Sequence, residues 1–419
     1  MRHPALPAIF RSLSFYALQF VSESQKKHKC DCEFYSMSDN KVGRQWFGRL
    51  LDHFTLRQAL VNAGILTYCL ALFLLFDFLY SSLTVGADAR SPRVADAVYD
   101  HGLAANFDGN DFWGEVRYRL VTNSLGFKDG SVREVPLKSD VRRILLIGDS
   151  FAEGIGMNFE DSFAGQLYRA GQQLSQKIEF LNAGVVSYSP SIYYKKIKRL
   201  IESGLQFDEV VVLSDTSDVT DEATSYFCID DDPRYRAYCT SAEGSMQPAA
   251  AIPTKRDFFI DRFVVTNRLR IYIKRSIQSF LGNRRKSINS DHDRIGWTIP
   301  GLDIGNSYQP LGADGGIARS LQNMRALSDL LAARRIPLTI VVYPWAQQIA
   351  QGDRDSQQVS LWRDFCFGRC KAFINLFPVF FAAADADRNW YEHLYILGDD
   401  HFSVDGNRLM FRELAKHLL

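Results

Sequence analysis

The chain has no excess of one charge. Its 49 lysines and arginines face 48 acidic residues, so 419 residues carry a formal net charge of +1. No global field therefore draws it to nucleic acid, and no basic stripe interleaved with aromatics appears. Low-complexity tracts and internal repeats are missing too, which argues against solenoid and disordered classes. No glycine-rich phosphate loop is present, so a nucleotide or phosphate enzyme is disfavoured. Cys366-x-x-x-Cys370 lacks a matching second knuckle, which weighs against its rival reading as a zinc site. No metal and no cofactor are expected.

What is present begins with one long apolar run. From Ala59 to Val85 the sole charge is Asp77. About 20 apolar residues cross a bilayer, so the length suffices. A charge toward the end of a span is less costly than one at its centre. The alternative is a buried core helix, but so long a run without a polar face rarely packs inside a globule. Arg2, Arg11, Lys26, Lys27, Lys29, Lys41, Arg44, Arg49 and Arg57 precede the run, and only Arg90 and Arg93 closely follow it. The positive-inside rule then places the N-terminal tail, residues 1–58, in the cytosol and everything after about residue 85 outside. The anchor is expected over 59–85, with Met37 as an alternative start. An exported domain suits Cys228/Cys239 and Cys366/Cys370 as two disulfides.

Residues 86–140 are mixed and polar, a linker that then packs on the main domain. From 141 to 419 the pattern alternates. β-rich apolar runs occur at Arg143–Ile147, Ile178–Leu181, Glu209–Leu213, Pro337–Tyr343 and Ala372–Leu376. Helical spacing fills Ser162–Leu174, Ile192–Ile201, Ile317–Ala333 and Arg408–Leu418. This order predicts an α/β fold with a parallel sheet covered on both faces, and ligands at the carboxyl ends of its strands. The stretch 214–336 breaks the rhythm as an insertion, with a helix over Arg262–Phe280 and a basic patch Arg284-Arg-Lys286, and is placed to shape a substrate pocket.

The chemistry gathers at two ends of this domain. Ser150 follows the first strand and heads a helix, so its hydroxyl leaves the sheet edge beside free backbone N–H groups. A serine hydroxyl needs an adjacent base oriented by a carboxylate. His401 sits in a Gly-bounded loop with Asp399 and Asp400, before the last helix. His101, His292, His393 and His417 lack such a setting. Asp399 is favoured as the orienter, because Asp400 should point away from its sequence neighbour.

Gly148-Asp149-Ser150-x-x-x-Gly154, Asn182-Ala-Gly184-Val-Val-Ser-Tyr-Ser-Pro190 and Asp399-x-His401 resemble three blocks of the SGNH/GDSL hydrolase superfamily. The resemblance covers about residues 141–419. It implies a three-layer, flavodoxin-like fold with a five-stranded parallel sheet, here preceded by one transmembrane helix. It further implies that Ser150 attacks an ester, His401 moves the proton and Asp399 orients the imidazole, and that the amides of Ser150 and Gly184 serve the oxyanion hole. The third block departs. Where the family has Gly-x-Asn-Asp, this chain has Ser214-Asp215-Thr-Ser217-Asp218. Ser217 stands nearest the asparagine, either as a shorter oxyanion donor or within a helix cap carrying acids in its first turn. Tyr343-Pro344-Trp345 closes the fourth strand and could stack on a sugar.

The resulting expectation is a serine esterase or O-acyltransferase acting on acyl, foremost acetyl, esters of envelope or extracellular polysaccharide. It would sit in a bacterial inner membrane with one pass and a periplasmic catalytic domain, with a membrane-bound acyltransferase as a conceivable partner and no nucleic acid. The alternatives are a lipid-directed esterase and a non-catalytic carbohydrate-binding assembly protein.

Overall fold

The computed structural model describes residues 56–84, 92–114, 116–229, 233–234, 239, 263–280, 292–299, 301–302 and 306–419. The tail expected over 1–58, with Met37 in it, lies outside the described residues save for 56–58, as does the basic patch Arg284–Lys286. Helix α1 runs Leu56–Thr84, and its stretch Gln58–Leu83 is long and apolar enough to cross a membrane. A core helix would hide its side chains, whereas Leu66 is 70 % and Phe76 63 % exposed.

The polar stretch before the main domain folds as two antiparallel hairpins. Strand β1 (Arg93–Asp96) pairs with β2 (Asp100–Leu103), and β3 (Asp108–Trp113) with β4 (Val116–Val121). Leu103, Phe107, Tyr118 and Leu120 from this stretch are buried in the main core. These residues thus form part of the domain's packing and are more than a tether.

The main sheet comprises β5 (Arg142–Gly148), β6 (Ile178–Asn182), β7 (Glu209–Ser214), β8 (Leu338–Val342) and β9 (Ala372–Asn375), in the order β6-β5-β7-β8-β9 and all parallel. This is the flavodoxin-like order, in which the chain changes direction between the first and third strands and leaves a crevice there. Strands buried on both faces need continuous apolar runs. Ile144-Leu-Leu-Ile147 and Val210-Val-Val-Leu213 supply them and have no exposed surface.

Helices α2 (Ser150–Glu153) and α3 (Phe163–Gln173) follow β5, α4 (Pro190–Glu202) follows β6, and α5 (Ser217–Thr224) follows β7. Beyond these lie α6 (Val264–Phe280), α7 (His292–Ile295), α8 (Gly312–Ala332), α9 (Ala346–Gln351), α10 (Gln357–Cys366), α11 (Phe377–Ala386), α12 (Trp390–Leu394) and α13 (Val404–Leu418). Helix α3 packs against α13, and α8 against α4 and α5. The stretch expected as one insertion over 214–336 therefore contains two regular core helices, α5 and α8, at its ends. Cys228 is bonded to Cys239 and Cys366 to Cys370, with S–S distances of 2.02 and 2.11 Å.

Candidate active site

The crevice between β5 and β7 is where the candidate residues meet. Asp149 caps α2 by accepting the Phe151 N–H at 2.9 Å, which stands Ser150 at the head of the helix. The helix stops after one turn because Gly154 takes a left-handed φ of 71°, which a side chain would strain. From the far end of the chain, the loop before α13 brings in His401. Its Nε2 lies 2.8 Å from Ser150 Oγ, and its Nδ1 is hydrogen-bonded to Asp399 Oδ1. Asp399 Oδ1 also accepts the His401 backbone N–H at 3.0 Å. Asp400 turns away and accepts a hydrogen bond from the Gln347 amide, so of the two acids the one on the imidazole is Asp399.

The geometry fixes a proton direction. With Asp399 accepting at Nδ1, that nitrogen carries the hydrogen and Nε2 is left to accept from the serine hydroxyl. Burial would raise the Asp399 carboxyl. Hydrogen bonds from the His401 ring, the imidazole's charge and bonds from the His401 N–H and the Trp113 indole more than offset this, and the carboxyl is held below its ordinary value.

Trp113 was not singled out in the sequence. Its indole N–H donates to Asp399 Oδ2 at 2.7 Å, and its ring meets the imidazole edge-on, with centroids 4.9 Å apart. Phe151 lies against the imidazole too, at 4.6 Å. The same N-terminal hairpins hold the opposite wall. Buried His101 bonds Asp100 through Nδ1 and the Val186 carbonyl through Nε2, each at 2.7 Å. Arg93, also buried, joins Glu153 and Asp111, and Glu153 in turn accepts the Val186 N–H at 2.8 Å.

The glycine block is read differently in the structure than in the sequence. Gly184 does not line the cavity, and its N–H donates to Asn182 Oδ1 at 3.2 Å, so an oxyanion is not what that amide faces. A Cβ at Gly184 would lie 2.6 Å from the Ala152 Cβ. Its smallness thus serves the close approach of α2. Three residues on, Ser187 holds a left-handed φ of 62° and does line the cavity. Neither Ser150 nor Ser187 has an acceptor for its N–H among the described residues.

Ser217 lines the cavity as well, but its hydroxyl donates to Asp215 Oδ1 at 2.8 Å, and its N–H reaches the same oxygen at 2.7 Å. A hydroxyl has one hydrogen, so while it serves Asp215 it cannot serve an oxyanion. Nor does Ser217 cap α5. It is the first helical residue, behind Thr216, which makes no side-chain cap bond.

The acids of this third block are buried and tied to donors. Trp345 Nε1 donates to Asp215 Oδ2 at 2.8 Å, and Tyr193 donates to Asp218 at 2.8 Å. Burial, then the nearby charge of Asp215, pushes both Asp149 and Asp218 well above the carboxylate range. Burial likewise lifts Asp221 to about 6, although Arg294, 3.1 Å away, pulls it back. Arg294 comes from α7. Tyr308 bonds its carbonyl at 2.9 Å, and its guanidinium lies 5.6 Å over the Trp345 ring. The cavity these walls enclose measures about 190 Å³.

Fold and site together have the form that the SGNH/GDSL resemblance implies: a serine at the switch point of a five-stranded parallel sheet, with an Asp-x-His loop brought over it. No family model and no curated protein matches the chain. Among solved structures, it is similar to a G-D-S-L-family lipolytic protein from Desulfitobacterium hafniense at 13 % identity and a TM-score of 0.34, covering 65 % of this chain and 98 % of that one. A mutant acetyl-xylooligosaccharide esterase from Geobacillus gives 10 % identity, 67 % and 95 % coverage and a TM-score of 0.36. An esterase from a Pseudoalteromonas species gives 11 %, 66 % and 95 %, and 0.33.

Proposed function

We propose that this protein is a serine esterase or O-acyltransferase that forms an acyl-enzyme on Ser150. The observation that carries this is the contact of Ser150 Oγ with His401 Nε2 at 2.8 Å, with Asp399 on the other ring nitrogen. Ser150 Oγ adds to the acyl carbonyl while His401 Nε2 takes the hydroxyl proton. The N–H groups of Ser150 and Ser187 receive the oxyanion, in place of the Ser150, Gly184 and Ser217 set drawn from the motif. The tetrahedral species collapses, the C–O bond to the alcohol breaks, and His401 returns its proton to the departing oxygen. Water or a second hydroxyl then attacks the acyl group by the same route.

A cavity of about 190 Å³ suits a short acyl group such as acetyl, below the roughly 300–1,000 Å³ of most ligand sites. The half-buried indole of Trp113 on its wall favours a sugar-borne ester, whereas Tyr343 and Trp345, expected to stack on a sugar, are buried, with the Trp345 N–H on Asp215 and Arg294 over its ring. With α1 as a single-pass anchor and the Lys/Arg bias before it, the catalytic domain would face the periplasm and envelope polysaccharide. The test is acetate release from acetylated oligosaccharides by the full chain, with and without an unacetylated oligosaccharide. Acetate release supports hydrolysis, and acetyl appearing on the added sugar supports transfer. Neither product, with sugar binding unchanged in Ser150→Ala, would favour the non-catalytic binding protein instead.

A further inference from the structure

Asp77, the charge inside the apolar run of helix α1, has an unexpected set of partners. Its carboxylate accepts the backbone N–H of Val265 at 3.0 Å and of Thr266 at 2.7 Å, the first groups of α6. Ser81, one turn further along α1, donates to Asp77 and accepts the Val264 N–H at 3.0 Å. Phe78 lies against Phe263, with ring centroids 6.0 Å apart. The polar residues of α1 thus cap a second helix, satisfying N–H groups that a helix start leaves open.

The helix so held is amphipathic in a particular way. Leu269, Tyr272, Ile273 and Ile277 recur at helical spacing and are 50 %, 69 %, 47 % and 52 % exposed. At 100° per residue they fill one arc of about 140°. Exposed Arg268 and Arg270 fall at its two edges. Apolar side chains bordered by long basic ones suit the boundary between headgroups and acyl chains, where the stems lie in lipid and the charges reach the headgroups.

The depth agrees. At 1.5 Å per residue Asp77 lies about 28 Å along α1 from Gln58, close to the roughly 30 Å thickness of a hydrocarbon core. A helix capped there starts at the far face of the membrane. We infer that α6 lies in that interface as a second, in-plane membrane contact, its apolar arc on the acyl chains and Arg268 and Arg270 on anionic headgroups. This rests on reading α1 as a membrane span.

The experiment uses the full chain in nanodiscs containing phosphatidylglycerol, with the environment-sensitive fluorophore NBD on one cysteine at a time. One sample carries Ile277→Cys with Cys30, Cys32 and Cys69 changed to Ser. The other keeps Cys69, inside α1, as the single free thiol. The label at 277 should emit blue-shifted relative to water and be quenched by brominated lipids. Arg268→Glu with Arg270→Glu should diminish both signals without altering labelling of Ser150 by a phosphonate. A quenched label at 69 beside an unshifted, unquenched one at 277 would overturn the interfacial helix and leave the span standing. If 69 is also unquenched, the span reading fails and the inference with it.

Discussion

The strand ends and the N-terminal hairpins contribute to one site, yet only the first announces itself. Ser150, Asp399 and His401 sit in short local patterns, and the structure brings them within hydrogen-bond reach. Trp113, His101 and Arg93 are ordinary residues in a polar stretch. They brace Asp399, the Val186 carbonyl and Glu153 from 60 to 286 positions away in sequence. Reacting groups are constrained by chemistry and leave spacing behind. Residues that hold them need only reach, and many sequences supply reach.

The comparison is tested most severely at its first half. Ser150→Ala should lower turnover of an aryl acetate by about 10⁴-fold or more, and adding His401→Ala should reduce it little further, since the groups act as a unit. Additive losses would separate the two residues.

A second test concerns the acids beside the serine. Asp221 in the fold titrates near 6, above its ordinary 3.8, because burial outweighs Arg294. Its contribution to stability is therefore full below about pH 4 and is lost as pH rises through 6. Asp221→Asn should remove this slope and gain about 3 kcal/mol relative to the native chain between pH 4 and 7. Parallel stability curves from denaturant unfolding would refute the assignment.

The hairpins should show smaller effects on rate. Trp113→Phe takes one hydrogen bond from an ionised carboxylate, a contribution of about 1.5–3 kcal/mol, so kcat should fall about 10- to 100-fold with KM little changed. His101→Ala should reduce kcat by about 10-fold if the Val186–Ser187 peptide carries the oxyanion. Unchanged kcat in both would make the hairpins a structural cover only.

Much of the fold was legible in the sequence because parallel strands must be apolar throughout. The runs at Arg143–Ile147 and Glu209–Leu213 match β5 and β7 to within one residue at each end. The hairpins were not, since β1 to β4 are four to six residues long and mixed in character. Helical spacing over Ile317–Ala333 marks α8, yet the bounds 214–336 take it into the insertion, because the long stretch before it hides the return to the sheet. In the glycine block, the motif drew attention to Gly184, whereas Ser187 lines the cavity through a positive φ that its side chain gives no reason to expect.

The smallest effect is expected at Ser217. Its hydroxyl already serves Asp215, so Ser217→Ala should change kcat by less than about threefold, against the roughly 100-fold of a lost oxyanion donor. A large loss would return it to the oxyanion hole.

The central claim is that Ser150 is the nucleophile, and it is tested most directly by trapping. The full chain treated with an alkyl fluorophosphonate should gain a single adduct by intact mass, mapped by peptide fragmentation to Ser150 and absent in Ser150→Ala. An unmodified native chain, or an adduct on another residue that persists in Ser150→Ala, would contradict the account.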